Sequence, residues 1–202
     1  MKNRTLFHQK AFTLTELMIV IAIVAIVAGI GIPSFKDMVV TNRITRMTSE
    51  LHGALLLARS EAITRGSNVV ICRAVNADVL PACTNVNSNP MINTGWAEGW
   101  IIFSDGNNNG VFDAPVAPPG VSDVLIKVQG PIITDFTVGS IVPVPQRNRL
   151  VFNSTGQSFG TFMRFAVNRP DNDTTVSHDR FICVAQGGRA RVSKNICSAA
   201  GG

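Results

Sequence analysis

A chain of 202 residues with 46% hydrophobic and 15% charged side chains has room for one globular head plus an additional element, and for a self-supporting core. Its net charge of +5 is unevenly spread: residues 1–11 carry three bases and no acid, residues 12–144 seven bases against ten acids, and residues 145–202 eight bases against three acids. No H-E-x-x-H, G-x-S-x-G or P-loop pattern occurs, so the composition argues against an enzyme, and no cofactor motif is present. The four cysteines form no C-x-x-C, and His8, His52 and His178 lie far from them in sequence, which argues against a zinc site.

The chain opens on a short basic stretch, MKNRTLFHQKA, and then turns apolar. Residues 17–32, LMIVIAIVAIVAGIGI, hold no charged or strongly polar side chain, and extension to Phe35 approaches the ~20 residues that cross a bilayer core as a helix. Positive charge ahead of such a span keeps that end in the cytoplasm and places the rest on the far side. A secretory signal would be cut after its apolar run, but here the pattern continues into more helix. Gly29, Gly31 and Pro33 would loosen or bend it. Val40, Ile44, Met47, Leu51, Leu55, Ala58 and Ala62 then describe one helical face. A single helix is expected from about residue 13 to residue 65, with residues 12–35 in lipid and 36–66 packed on a head. Glu16 is the odd residue, a carboxylate at the edge of an apolar span, where it reads as interfacial or functional.

The run Ala11-Phe12-Thr13-Leu14-Thr15-Glu16-Leu17 and its apolar continuation resemble the class III signal of type IV pilins and type II secretion pseudopilins. The resemblance implies that residues 1–11 are a leader removed by a prepilin peptidase between Ala11 and Phe12, with methylation of the new N-terminus at Phe12. It also implies that Glu16 is the acidic residue of filament assembly, and that Pro33 stands where the family has its helix-kinking proline. Ala11 is a departure, because the family has Gly before the cut. A Glu16 carboxylate paired with the terminal amine of a neighbouring subunit would set register in a low-dielectric bundle, where an unpaired charge is costly.

From Ser67 onward the pattern becomes short apolar or alternating runs separated by Gly, Pro, Asn and Asp. Strands are expected at 68–73, 99–104, 124–129, 149–153, 160–167, 180–185 and 189–193, with loops at 74–95 and 106–122. The fold class is therefore α+β: a long N-terminal helix followed by an antiparallel β-rich head over residues 67–202. Cys72, Cys83, Cys183 and Cys197 allow three connectivities. Cys72–Cys83 and Cys183–Cys197 close the shortest loops, and each bridge is worth about 3 kcal/mol in a non-cytosolic head.

Two internal segments resemble the FimT/FimU and GspH branch of pilin-like proteins. One is Leu55-Leu56-Leu57-Ala58-Arg59-Ser60-Glu61-Ala62 with the following Gly66. The other is Gly95-Trp96-Ala97-Glu98-Gly99-Trp100-Ile101-Ile102-Phe103 leading into Asp105-Gly106-Asn107-Asn108-Asn109-Gly110-Val111-Phe112-Asp113. Asp105, Asn107, Asn109 and Gly110 match the first half of a calcium loop, but Val116 occupies its twelfth position. A polar turn tolerant of left-handed backbone explains the same residues. Trp96 and Trp100 read as core or hairpin packing.

The C-terminal run Cys183-Val184-Ala185-Gln186-Gly187-Gly188-Arg189-Ala190-Arg191-Val192-Ser193-Lys194-Asn195-Ile196-Cys197 reads as a bridged hairpin. If residues 189–192 are extended, Arg189 and Arg191 share one face with Lys194 beside them, a phosphate-binding arrangement that Arg164, Arg169 and Arg180 would enlarge. Charges that guard a strand edge are the competing explanation. Gly188-Arg189-Ala190-Arg191 resembles the Gly-Arg-x-Arg motif of FimT proteins that bind DNA during natural transformation.

The resemblance implies a minor type IV pilin, anchored by one pass in the inner membrane with its head in the periplasm and carried in the pilus fibre at the cell surface. Its implied partners are other pilins, the prepilin peptidase, the membrane and double-stranded DNA bound without sequence preference. A structural minor pilin and the H-type pseudopilin of a type II secretion system are the alternatives, and neither needs the arginine pair. His178 and Asp179, with Asp171 and Asp173 nearby, read as loop chemistry, not a metal or catalytic site.

Overall fold

The computed structural model describes residues 12–84, 95–113, 123–132, 139–158, 162–168 and 180–197, without the side chains at 30–34 and 36. Helix α1 spans Leu14–Arg65, and contacts group the chain into two compact units, Met1–Val39 and Val40–Gly202. The expected leader and its cut at Ala11 lie outside the described residues, and Pro33 falls within α1.

In the first unit α1 begins with a reciprocal cap. The Thr13 amide donates to Glu16 Oε2 at 2.9 Å, and the Glu16 amide donates to Thr13 Oγ1 at 3.3 Å. Thr13 is the N-cap and Glu16 the third helical residue, the T-x-x-E capping box. Leu17, Met18, Ile19 and the apolar residues that follow to Val27 are exposed. No helix, among the described residues, is long and apolar enough to cross a membrane. The described apolar run, Leu17 to Gly29, is shorter than the ~20 residues a span requires.

In the second unit the expected helical face is the buried one: Ile44, Met47, Leu51, Leu55, Ala58 and Ala62 are at most 1% exposed, and Val40 packs at its margin. Eight strands follow. They are β1 (Val69–Arg73), β2 (Trp100–Ser104), β3 (Val124–Gln129), β4 (Ser140–Val144), β5 (Arg149–Phe152), β6 (Met163–Asn168), β7 (Arg180–Val184) and β8 (Ala190–Ser193). They form two antiparallel sheets with strand orders β3-β2-β1-β5 and β4-β6-β7-β8. The main core brings the helix face against Val69, Ile71 and Ile102 of the first sheet and Phe165, Val167 and Ile182 of the second. A smaller cluster around Val70, Ile101 and Phe103 lies on the other face of the first sheet, so β1 and β2 are buried on both faces.

Seven of the eight strands stand where the sequence pattern puts them; β4 is the exception. Pro143 within Ser140–Val144 lacks an amide donor, which reads against a strand. Here β4 is the edge of its sheet, with β6 as its neighbour among the strands and a single parallel bridge from Ile141 to Gly95 on the other side, so Pro143 can lack that donor. The second departure is a 3-10 turn at Trp96–Glu98.

That turn explains the tryptophan-rich segment. Trp96 meets the Phe165 ring edge-on at 5.1 Å and donates Nε1–H to Arg147 O, Trp100 is buried on β2, and buried Glu98 pairs with Arg73 of β1. The Asp105 segment is a polar turn, tied to its surroundings by Asn68, which donates to Asn108 Oδ1, and by Arg149 of β5, which donates to Gly110 O. Its buried carboxylate accepts the amides of Asn109 and Gly110, Asp123 accepts those of Gly106 and Asp113, and Asn108 and Gly110 take left-handed backbone. Val116, where a calcium loop would need its last carboxylate, lies outside the described residues.

Candidate nucleic-acid interface

Strands β7 and β8 form a hairpin whose turn closes through Ala185 N–H to Arg189 O at 3.0 Å and Gly188 N–H to Ala185 O at 2.8 Å. The turn is held from outside as well. Ser158, in the β5–β6 connection, donates its hydroxyl to Ala185 O and its amide to Gln186 O. Gly188 has φ +74°, and a Cβ built on it would fall 1.9 Å from Gly156 O. Gly156 in turn lies so close to Ile63 of α1 that a Cβ there would come within 2.6 Å of Ile63 Cδ1. Gly188 therefore acts as the contact that seats the hairpin against the helix end, a role the motif spelling does not announce.

Strand alternation sorts the basic side chains. Ile182, Val184 and Ala190 enter the main core, so Cys183, Arg191 and Ser193 project from the opposite face of the second sheet. On β6, Phe165 and Val167 enter the core and Arg164 shares the outer face. The register places Arg164, Cys183 and Arg191 in one row across three strands. Arg189, Arg191 and Lys194 are exposed. Cys183 and Cys197 are joined with Cα atoms 6.4 Å apart, and Arg164 Nη1 donates to Cys197 O at 3.5 Å, which ties the end of the hairpin back to the sheet. The other bridge joins Cys72 to Cys83, Cα atoms 5.5 Å apart. These are the pairings favoured by loop length.

Arg180 departs from the expected cluster. It shares the parity of Ile182 and faces the helix side, where it lines a cleft of about 220 Å³ with Thr48, Ser49, His52 and Val192. Arg169, His178, Asp179, Asp171 and Asp173 lie outside the described residues. Residues 139–168 and 180–197 hold seven bases and no acid, and the β6–β7 connection, outside the described residues, carries Asp171, Asp173 and Asp179. Guanidinium groups displayed side by side have the geometry for bidentate contacts with phosphate.

Residues 47–188 match the family model described as type II transport protein GspH, and residues 6–32 match the prokaryotic N-terminal methylation motif. The chain belongs to the GspH family. Its architecture is the expected α+β one, a long N-terminal helix followed by an antiparallel β-rich head. A fimbrial protein of Pseudomonas aeruginosa is 47% identical over 62 residues, 31% of this chain and 40% of that protein. The match therefore spans two-fifths of that relative's length. The fimbrial protein EcpB of Eikenella corrodens is 31% identical over 135 residues, 64% of this chain and 79% of that protein. Among solved structures, the type IV minor pilin FimU of Pseudomonas aeruginosa superposes with a TM-score of 0.50 at 16% identity, covering 75% of this chain and 89% of that one, a likeness of fold. The methylation-motif match encloses Ala11, Phe12 and Glu16, the residues on which processing and assembly are expected.

Proposed function

We propose that this GspH-family subunit is a minor type IV pilin that captures double-stranded DNA on its C-terminal hairpin during natural transformation. Cleavage between Ala11 and Phe12 by the prepilin peptidase would leave α1 as an inner-membrane anchor and filament stem, with Glu16 at its head and the β-rich unit in the periplasm or on the fibre. The subunit works by binding and not by catalysis. Arginines meet phosphates, counterions leave, and affinity falls as salt rises. Phosphate contacts carry no base information, so any duplex sequence should serve.

The observation that supports this most directly is the outward display of Arg189 and Arg191 with Lys194 beyond them, on a hairpin fixed by the Cys183–Cys197 bridge and the Gly156–Gly188 contact. A host strain carrying Arg189→Ala with Arg191→Ala tests it. Transformation frequency should fall towards that of a deletion strain while twitching motility persists. Normal transformation in that strain would reject the reading.

A second reading is a structural pseudopilin of a type II secretion system, favoured by the description of the matching family model. It requires the stem and a partner-binding head but not the arginine pair. A deletion that abolishes protein secretion and leaves transformation intact would select it.

A further inference from the structure

The end of α1 carries a cation that the hairpin reading leaves unused. Arg65 has Glu61 four residues before it, and the two pair at 2.7 Å. Arg59 has no such neighbour. The residues three and four places away on its helix face are Leu55, Leu56, Ala62 and Ile63, and helical side chains pair at that spacing. Among the described residues Arg59 accordingly joins no ion pair. It is half-buried, and its Nε is buried without a hydrogen-bond partner, so the outer nitrogens of the guanidinium are the ones that reach the surface. Gly156 fixes this placement. A Cβ built there would lie 3.2 Å from Arg59 Nε, and the carbonyl of the same residue abuts Gly188, which immediately precedes Arg189. The loop that carries Gly156 is braced: Asn153 Oδ1 accepts the amides of Thr155 and Gln157, and the Gly156 amide donates to Asn153 O at 2.8 Å. The end of α1 and the hairpin turn thus meet across one glycine. A guanidinium packed along its inner edge and open along its outer one is held ready to grip a phosphate.

We propose that Arg59 binds a phosphate of the duplex that Arg189 holds, so that DNA lies across the seam between the end of α1 and the hairpin turn. The proposal rests on the hairpin being a phosphate-binding surface, and it adds a contact from a second element of the fold. No described carboxylate takes the Arg59 guanidinium. Glu61 is held by Arg65, and Asp105, Asp113 and Asp123 accept hydrogen bonds within their own polar turn. Asp171, Asp173 and Asp179 belong to the β6–β7 connection, which lies outside the described residues and joins the strands at Asn168 and Arg180. Val167 stands opposite Arg180 and Met163 opposite Val184, so those attachment points are at the end of the sheet away from the turn.

The test uses full-length protein in detergent micelles, titrated with a fluorescein-labelled duplex at several salt concentrations. Arg59→Gln should weaken binding at low salt and flatten the slope of log affinity against log salt by about 0.9, the share of one phosphate contact. Arg59→Lys keeps the charge and should keep the wild-type slope. Phenylglyoxal modification mapped by mass spectrometry reads the same contact in the wild-type protein, without a substitution. Bound duplex should protect Arg59 together with Arg189, while exposed Arg147, before the opposite end of β5, stays reactive. The proposal is overturned if Arg59→Gln keeps the wild-type affinity and slope, or if Arg59→Lys behaves like Arg59→Gln. A loss of affinity in Arg59→Gln with an unchanged slope also overturns it, and makes Arg59 a packing residue of the seam. So does an Arg59 that is unreactive in the free protein or left unprotected by duplex. Any of those results, with duplex binding still weakened in Arg189→Ala, Arg191→Ala, removes the helix contact and leaves the hairpin reading intact. Duplex binding unaffected by the arginine pair removes the hairpin reading, and this proposal with it.

Discussion

Glu98 and Arg73 form a buried ion pair, 2.5 Å between Oε2 and Nη2, that fastens the Trp96–Glu98 turn to the central strand β1. Both residues are 7% exposed, so neither charge has bulk water to fall back on. Removal of one partner should cost about 3–5 kcal/mol, because the other is left uncompensated in the interior. Glu98→Ala should therefore lower the denaturation midpoint steeply. Replacement of both residues, Arg73→Met with Glu98→Leu, should recover most of the loss. Equal stability of Glu98→Ala and wild type in denaturant titration would contradict this.

Gly188 and its neighbour Gly187 give a matched pair of tests. A Cβ at Gly188 collides with Gly156 O at a left-handed backbone position, whereas a Cβ at Gly187 meets nothing within 4 Å. Gly188→Ala should destabilise the head by about 1–3 kcal/mol and weaken DNA binding through displacement of the hairpin. Gly187→Ala should stay close to wild type in both. Urea unfolding and duplex titration of the two variants read the difference.

Glu16 caps its own helix through Thr13, and the resemblance to pilins gives it a second task in assembly. Gln at this position keeps the capping box and removes the charge, whereas Ala removes both. If the charge is what neighbouring subunits recognise, Glu16→Gln and Glu16→Ala should both fail to enter filaments, as seen by immunoblotting of sheared pili. Incorporation of Glu16→Gln at wild-type levels would leave only the capping role.

The helix and most strands are legible because burial imposes period on sequence. The Val40–Ala62 face repeats at three and four residues, and β6 alternates buried and half-buried positions from Met163 to Asn168. The features that escape lack such a period. Strand β4 is hidden by Pro143, tolerated only because the strand is an edge. The role of Gly188 depends on Gly156, remote in sequence, and no local pattern links the two. Arg180 reads as a member of the basic cluster, but the parity set by Ile182 turns it to the helix side. The Thr13–Glu16 cap is spelled out as T-x-x-E and is overshadowed by the functional reading of Glu16. The arginine pair is visible in sequence, and the fold adds the row that Arg191 shares with Arg164.

Whether the hairpin is an electrostatic DNA clamp is tested most directly by the salt dependence of duplex binding by the full-length protein in micelles. Each phosphate contact contributes about −0.9 to the slope of log affinity against log salt, so loss of two arginine contacts should flatten that slope by about 2. Arg189→Ala, Arg191→Ala should bind duplex DNA more weakly at low salt and with the shallower slope, irrespective of sequence. An unchanged affinity and an unchanged slope would contradict the clamp.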